Sequence, residues 1–272
     1  SMVFRACCAV PAHVGCGGVV VNGIKDKTIV VWFSCGAASA VAAKKTIDRY
    51  GSDNTIRIVN NPIKEEHPDN QRFLRDVQDW LGIEIEFALN SKYPSATCED
   101  VWEKRKYMSG PSGAPCTVEL KKRARQEWES KNNYDYIVLG FTADEKKRHE
   151  RFVMTERADV LPVLIEDGIT KADCYRIINE AGLRLPEIYN LGFPNANCIG
   201  CVKASSATYW NHVRETFPEV FKQRAEMSRR IGAKLAWYKG GRIFLDELPH
   251  DAKGRPMKNM DFECGIFCEE RK

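Results

Sequence analysis

Short runs of apolar, β-branched residues alternate along this chain with longer segments of mixed apolar and charged residues. The run TIVVWF at 28–33 is typical of a strand buried on both faces. The Ala-rich segment 37–49 favours a helix. We predict further strands at 55–59, 83–89 and 136–141, and further helices at 68–81, 116–131, 171–181 and 207–231. This alternation predicts an α/β fold, a doubly wound and mostly parallel sheet with helices on both faces.

Punctuating residues mark the ends of these elements. Thr170 is the predicted N-cap of the helix at 171–181. Gly240 and Gly241 predict the turn of a hairpin at 235–245. We therefore divide the chain into an N-terminal extension (1–26), an α/β domain (27–203) and a C-terminal helical and hairpin appendage with a cysteine-containing tail (204–272).

Bulk composition narrows the class of protein. The 272 residues are 43% hydrophobic and 29% charged, which is ordinary for a globular protein with a buried core. No apolar run reaches the length of a membrane span, so no membrane partner is expected. The formal net charge of +4 permits an anionic ligand such as a nucleotide, but by itself it does not indicate a nucleic-acid partner.

The chain contains eleven cysteines. An odd count leaves at least one thiol unpaired, and the sequence shows no signal peptide, so we expect reduced thiols in the cytoplasm. Reduced cysteines serve as metal ligands, as catalytic groups or as small core residues, and composition does not choose among these roles.

The first candidate site lies between the strand at 28–33 and the helix at 37–49. It consists of six small residues, Ser34, Cys35, Gly36, Ala37, Ala38 and Ser39. Ligands of parallel sheets bind beyond the carboxyl ends of the strands, and a helix N-terminus favours phosphate. The alternative is a tight connection whose small residues serve packing alone.

This segment resembles the phosphate loop of the PP-loop superfamily, usually Ser-Gly-Gly-x-Asp-Ser. Cys35 replaces the first glycine and Ala38 replaces the aspartate. Because sulfonucleotide reductases have a degenerate loop, this departure favours the phosphoadenosine and adenosine phosphosulfate reductase family. Other segments resemble that family in the same order: 67–70 (HPDN), 140–145 (GFTADE), 162–178 and 191–201.

The resemblance covers residues 28–203 and the tail, and it implies which later residues bind the adenine nucleotide. They are His67, Gly140, Thr142, Glu145 and Arg148. Thr142 stands where the family has an arginine, and Arg148 is a nearby residue that could supply the missing positive charge.

The second candidate site is a set of cysteines. Cys198 and Cys201 form a Cys-x-x-Cys whose glycine allows both sulfurs to face one ion or cluster. Cys116 resembles part of the site where iron–sulfur reductases of this family hold a [4Fe–4S] cluster. Three ligands are visible. The fourth is open among Cys264, Cys268, an N-terminal cysteine and an external species, and zinc is the alternative metal.

The third candidate is Cys264 within Glu263-Cys264-Gly265. This segment resembles the family's tail motif, in which the cysteine is the nucleophile that attacks the sulfur of the sulfonucleotide. Cys264 and Cys268 could instead be a ligand pair or an incidental spacing.

Three functions follow from these patterns. The leading hypothesis is a sulfonucleotide reductase that binds an adenine nucleotide, holds a [4Fe–4S] cluster and needs a thioredoxin-like electron donor. The first alternative is an ATP-dependent sulfurtransferase that modifies RNA or DNA, as in tRNA thiolation or DNA phosphorothioation. The second alternative is a non-catalytic nucleotide-binding protein. The sequence leaves the oligomeric state open.

Overall fold

The computed structural model describes residues 23–110, 113–259, 264, 266 and 267. Most of the predicted N-terminal extension, including its cysteines, and Cys268 lie outside the described residues. Within the described part of the chain, no helix is both long and apolar enough to cross a membrane.

Four strands form one parallel sheet in the order β3-β2-β1-β4. They are β1 (Thr28–Trp32), β2 (Thr55–Asn60), β3 (Ile85–Phe87) and β4 (Tyr136–Val138). Val31 of β1 pairs with Ile58 on one side and Val138 on the other, and all three side chains are buried. The structure thus confirms the predicted α/β fold, although the strands predicted at 83–89 and 136–141 are shorter than expected.

Ten α-helices surround this sheet and its C-terminal appendage in the described residues. They are α1 (Ala37–Tyr50), α2 (Asn70–Leu81), α3 (Cys98–Arg105), α4 (Ala124–Glu129), α5 (Lys146–Thr155), α6 (Val163–Glu166), α7 (Lys171–Glu180), α8 (Glu187–Asn190), α9 (Ala207–Thr216) and α10 (Pro218–Ile231). A π-helical segment, Thr117–Arg123, precedes α4. The hairpin consists of β5 (Ala236–Tyr238) and β6 (Gly241–Ile243), which pair antiparallel.

The sheet is covered on both faces. Ile29, Val31 and Ile58 pack with α1, α2, α6 and α7 on one face. Val30 and Val59 pack with Trp128 of α4 on the other face. Alternate residues of β1 therefore enter two different cores, which explains why this strand is apolar from Ile29 to Trp32.

A third core joins the middle of the chain to its C-terminal part. It contains Tyr93 and Trp102 from the segment around α3, together with Trp210 of α9 and Leu235 before the hairpin. These side chains are almost fully buried. The segment around α3 therefore packs mainly against the C-terminal helices and the hairpin.

Two predicted helices need correction. The helix expected at 207–231 is interrupted at Phe217, whose backbone (φ −135°, ψ 67°) is not helical. Pro218 causes the break, because a proline disfavours helical geometry in the residue before it and is itself well suited to the first helical position. The helix expected at 116–131 contains the wider π-helical turns before α4. The Thr170 N-cap is as predicted, since its hydroxyl accepts a hydrogen bond from the Asp173 N–H.

Candidate functional site

The 34–39 loop leaves the carboxyl end of β1 and enters α1. The Ser34 N–H donates to the Ser39 hydroxyl (3.1 Å), which in turn donates to the Gly36 carbonyl (3.0 Å). Cys35 has a φ of +57°, in the left-handed region that favours glycine. The loop is thus closed by its own hydrogen bonds, and the buried Ser39 hydroxyl is engaged within it.

Gly140, two residues beyond β4, lies directly against this loop. A Cβ atom at position 140 would come within 2.8 Å of the Ser39 backbone nitrogen. Only glycine allows such a close approach between the two loops. The loops after β1 and β4, which are neighbouring parallel strands, therefore meet at the edge of the sheet where ligands of α/β proteins bind.

A cleft of about 590 Å³ opens at this edge, a volume typical of small-molecule sites. Nine residues predicted to bind nucleotide line it: Ser34, Gly36, Ala37, Ala38, Ser39, Gly140, Thr142, Glu145 and Arg148. The fold brings them together from two distant segments of the chain.

Neither Cys35 nor His67 is among the described residues that line the cleft. The buried Cys35 sulfur lies 3.5 Å from the Asn60 side-chain nitrogen, behind the loop. The His67 ring accepts a hydrogen bond from the Asp69 N–H (3.1 Å) and packs edge-on against Phe217. The structure therefore places His67 at the start of α2 and beside the junction of α9 and α10.

Thr142, Glu145 and Arg148 form a small network at the entrance to α5. The Thr142 N–H donates to the Glu145 carboxylate (3.1 Å), and the Arg148 guanidinium donates to the same carboxylate (2.6 Å). These hydrogen bonds hold the three residues together in the wall of the cleft.

The cleft also contains positive charges that sequence reasoning did not single out. Lys121, Lys171 and Lys258 line it together with Arg148. The Lys171 ammonium donates to the Pro194 carbonyl (2.7 Å), which fixes it at the wall. Two carboxylates, Asp144 and Glu145, also line the cleft, so its lining carries a net positive charge that favours an anionic ligand.

Lys121 is buried and links the cleft to the cysteines. Its ammonium lies 3.8 Å from the Glu66 carboxylate, whose pKa burial raises. Burial alone would lower the pKa of Lys121, but the nearby Cys264, Glu66 and Cys198 groups outweigh it and raise the pKa above its usual range. Lys121 therefore remains a cation between two sets of functional groups.

Five free thiols converge behind Lys121, and we call them the cysteine centre: Cys98, Cys116, Cys198, Cys201 and Cys264. Three of them were predicted as metal ligands and one as a nucleophile. Cys98 was missed, because it stands outside every motif that the sequence analysis used. Its place at the first position of α3, after the N-cap Thr97, becomes informative only once α3 packs beside Cys116.

The thiols of the centre interact with one another. The Cys98 thiol lies close to Cys116 and Cys198, and interaction with these two cysteines raises its pKa. The same contact with Cys98 lowers the pKa of Cys116. Burial is the main reason that the pKa of Cys201 is raised. Within this pair the thiolate is therefore favoured at Cys116 over Cys98.

Cys264 belongs to both the cysteine centre and the cleft. Its sulfur lies 3.2 Å from the Thr117 hydroxyl and lines the cleft near Lys121. Burial raises the pKa of its thiol, with Lys121 opposing that shift. The tail is anchored three residues further on, where Phe267 packs against Phe152 (ring centroids 5.0 Å apart) and under the Arg125 guanidinium (4.0 Å).

The donor set of the centre fits a thiophilic metal or cluster. As the side chains stand, no three His, Cys, Asp or Glu side chains in the described residues already surround a common metal position. Two buried polar atoms near the cysteines, Trp102 Nε1 and Glu65 Oε2, have no hydrogen-bond partner within the described part of the chain. The Trp102 indole nonetheless lies close enough to Cys116 to help lower its pKa, after the larger effect of Cys98.

No known family profile matches this chain, and no curated protein matches it. Among solved structures it is similar to "U34-tRNA thiolase NcsA from Methanococcus maripaludis with its [4Fe-4S] cluster". The TM-score is 0.47 and the sequence identity is 10%, with 90% of this chain and 84% of that chain covered. A likeness at this level leaves the activity to be inferred from the geometry of the chain itself.

Proposed function

We propose that this chain is an enzyme, an adenine-nucleotide-dependent sulfurtransferase that binds its nucleotide in the cleft and an iron–sulfur cluster at the cysteine centre. The observation that carries the proposal is the position of Cys264, which lines the cleft and also adjoins Cys116, Cys198 and Cys201. A nucleotide in the cleft and sulfur chemistry at the centre would therefore share one thiol.

The cleft suits a nucleotide in size, charge and position. The 34–39 loop presents the start of α1 to it, where backbone N–H groups and the helix dipole favour phosphate. Lys121, Arg148, Lys171 and Lys258 supply positive charge around the same space. This set matches a ligand with several phosphate charges better than it matches a neutral metabolite.

The cysteine centre suits a cluster in chemistry and surroundings. Thiolates are the ligands that iron–sulfur clusters prefer, and the centre is packed in an apolar core that limits access of water. The Trp102 N–H, close enough to Cys116 to help lower the pKa of that thiol, is a donor of the kind that tunes cluster sulfurs. A bound cluster would supply redox chemistry next to Cys264. Zinc held by the same thiolates is the alternative.

The tail favours sulfur transfer over sulfonucleotide reduction. The reductase hypothesis needs a nucleophile on a tail that withdraws from the nucleotide. Instead, Cys264 is held by Thr117, and the following residues are held by Phe152 and Arg125. Such anchoring supports a fixed role for Cys264 beside the cysteine centre.

In the proposed reaction, an acceptor oxygen bonds to the α-phosphorus of ATP and pyrophosphate leaves. Sulfide then displaces that oxygen together with AMP.

A tRNA pool and duplex DNA are the two acceptors to test, with radiolabelled ATP and labelled sulfide after anaerobic reconstitution with iron. We expect AMP formation to depend on the acceptor and label to enter it. Because Cys264 lines the cleft through which sulfide would reach the activated acceptor, Cys264→Ser should slow label transfer, whereas Cys174→Ser, at a buried thiol of α7 outside the centre, should retain it.

Sulfonucleotide reduction is the second candidate, because the Cys264 sulfur faces the cleft. Incubation with each sulfonucleotide followed by intact-mass spectrometry separates the two functions. A gain of one SO₃ group that disappears in Cys264→Ser would establish the reductase and contradict sulfur transfer. The thioredoxin-like electron donor stays a prediction tied to that outcome.

A further inference from the structure

Cys98 is held against the Cys198–Cys201 turn by two separate bridges. The Glu65 carboxylate accepts a hydrogen bond from the Glu99 N–H (3.3 Å), and the Glu65 carbonyl accepts one from the Ile199 N–H (2.9 Å). A single residue therefore fixes the start of α3 beside the residue that follows Cys198.

Arg224 of α10 forms the second bridge. Its buried guanidinium donates to the Gly200 carbonyl (3.3 Å) and to the Glu99 carboxylate (3.0 Å). Gly200 has a φ of +65°, which the tight turn between the two cysteines requires, and a Cβ there would lie 3.2 Å from the Arg224 stem. Cys98 and the Cys-x-x-Cys turn are thus parts of one rigid arrangement.

Cys116 lies in the same core as this arrangement. Cys98, Cys116 and Cys201 are all buried in the same core, and Cys198 packs against it. The Cys98 thiol contacts both Cys116 and Cys198. Cys98 therefore adds a fourth thiol beside the three cysteines that were predicted as ligands.

Cys264 differs from these four thiols. It lines the cleft and hydrogen-bonds with Thr117, whereas its half-burial is shared with Cys198. Cys98, Cys116, Cys198 and Cys201 are not among the described residues that line the cleft. The five thiols therefore separate into four that lie in or against one apolar core and one that lines the cleft.

We propose that Cys98 is the fourth cluster ligand, together with Cys116, Cys198 and Cys201, and that Cys264 stays unligated at the cleft. This inference rests on the proposed cluster at the cysteine centre. Four thiolates complete the coordination of all four irons of a cubane cluster. No iron would then have a free coordination position. A sulfur species in the cleft would contact the Cys264 thiol instead.

The test compares three variants of the full chain after anaerobic reconstitution: Cys98→Ser, Cys264→Ser and the buried-thiol control Cys174→Ser. Iron and acid-labile sulfide per chain are measured, together with the visible absorption and the electron paramagnetic resonance of the reduced protein. We expect Cys98→Ser to weaken retention of the cluster by at least about tenfold, as even changes around metal ligands do. The other two variants should match wild type. Unchanged cluster content in Cys98→Ser, or loss of the cluster in Cys264→Ser, would overturn the proposal.

A measurement on the wild type keeps the proposal testable if Cys98→Ser fails to fold, which circular dichroism would reveal. Mössbauer spectra of the iron-labelled protein should show no iron that responds to added citrate. One responsive iron would mean an open site and would contradict the assignment of Cys98. If wild type takes up only zinc or no metal, that result would contradict both the proposed cluster and the proposed set of four ligands. If it holds a four-thiolate cluster but transfers no sulfur, only the proposed function fails.

Discussion

The 34–39 loop and the cysteine centre are built in opposite ways, although they lie on either side of Lys121. The loop is one contiguous segment whose main polar contacts join residues no more than five positions apart. The cysteine centre collects thiols from α3, from the segment before α4, from the Cys198–Cys201 turn and from the tail. Its geometry depends on the bridging groups of Glu65 and Arg224.

This difference predicts different responses to mutation. A local loop keeps its shape as long as its own backbone and hydroxyls are intact. A dispersed centre can be disturbed by changing a residue that is far away in sequence and touches no ligand. The four predictions below test this contrast, beginning with the largest expected effect.

Arg224→Met should disturb the cysteine centre without touching the cleft. It removes the hydrogen bonds to Gly200 and Glu99 and the contact of the guanidinium with the Trp102 ring (4.8 Å). We expect a loss of about 3 kcal/mol in the free energy of unfolding and a lower iron content. Denaturant unfolding and metal analysis measure both quantities.

The matched control is Arg229→Met on the same helix. Arg229 is more exposed and pairs with Asp246 and Glu247 at the surface, so its loss should change the free energy of unfolding little and leave iron binding intact. Equal effects of the two variants would contradict a bridging role for Arg224.

Gly140→Ala tests how local the loop really is. The added methyl group would meet the Ser39 backbone nitrogen at 2.8 Å, so the two loops must move apart. We expect destabilisation of about 2 kcal/mol and weaker nucleotide binding, with cluster content unchanged. Gly241→Ala is the control, because a Cβ there meets nothing within 4 Å. Calorimetric titration with ATP would show whether the cleft alone is affected.

Asp69 fixes α8, which places Tyr189 against the loop. The Asp69 carboxylate accepts hydrogen bonds from the Arg72 guanidinium (2.6 and 2.7 Å) and the Glu187 N–H (2.9 Å). Mainly through the bonds from Arg72, the pKa of Asp69 is lowered to about 2. The Tyr189 hydroxyl in turn accepts from the Ala37 N–H (3.4 Å).

A lowered carboxyl pKa stabilises the fold where the unfolded carboxyl is ionised, above about pH 4. This contribution is lost as the pH falls towards 2. Asp69→Asn should therefore cost about 1–2 kcal/mol at neutral pH, and the difference from wild type should shrink below about pH 4. Unfolding curves from pH 7 to roughly pH 3 would show it. Asp79→Asn, on the exposed side of the same helix, controls for the loss of a charge. A difference that stays constant with pH would contradict the role of this ion pair.

Ser39→Ala should have the smallest effect. The Ser39 hydroxyl hydrogen-bonds within the loop, so its removal should weaken nucleotide binding by about 1 kcal/mol through the shape of the loop. Titration of Ser39→Ala and Ser34→Ala with ATP measures this. A much larger loss for Ser39→Ala would mean that its hydroxyl turns to contact the ligand directly.

The sequence predicted most of what depends on neighbouring residues. The apolar runs predicted the parallel sheet, Thr170 predicted the start of α7, and the small residues at 34–39 predicted a loop that the structure places at the cleft. Each of these features follows from local periodicity, capping or turn chemistry, which act over a few residues. The helix break at Phe217 was also a local signal, given by Pro218, and was overlooked.

Only the tertiary structure decided which distant side chains share a site. It placed Cys98 in the cysteine centre, Lys121 between that centre and the cleft, and His67 away from the cleft. These positions depend on the packing of α3 against the C-terminal helices and on the bonds of Arg224, which link residues far apart in the chain. Periodicity along one sequence carries no record of such contacts, because they arise only when separate elements bury their apolar faces together.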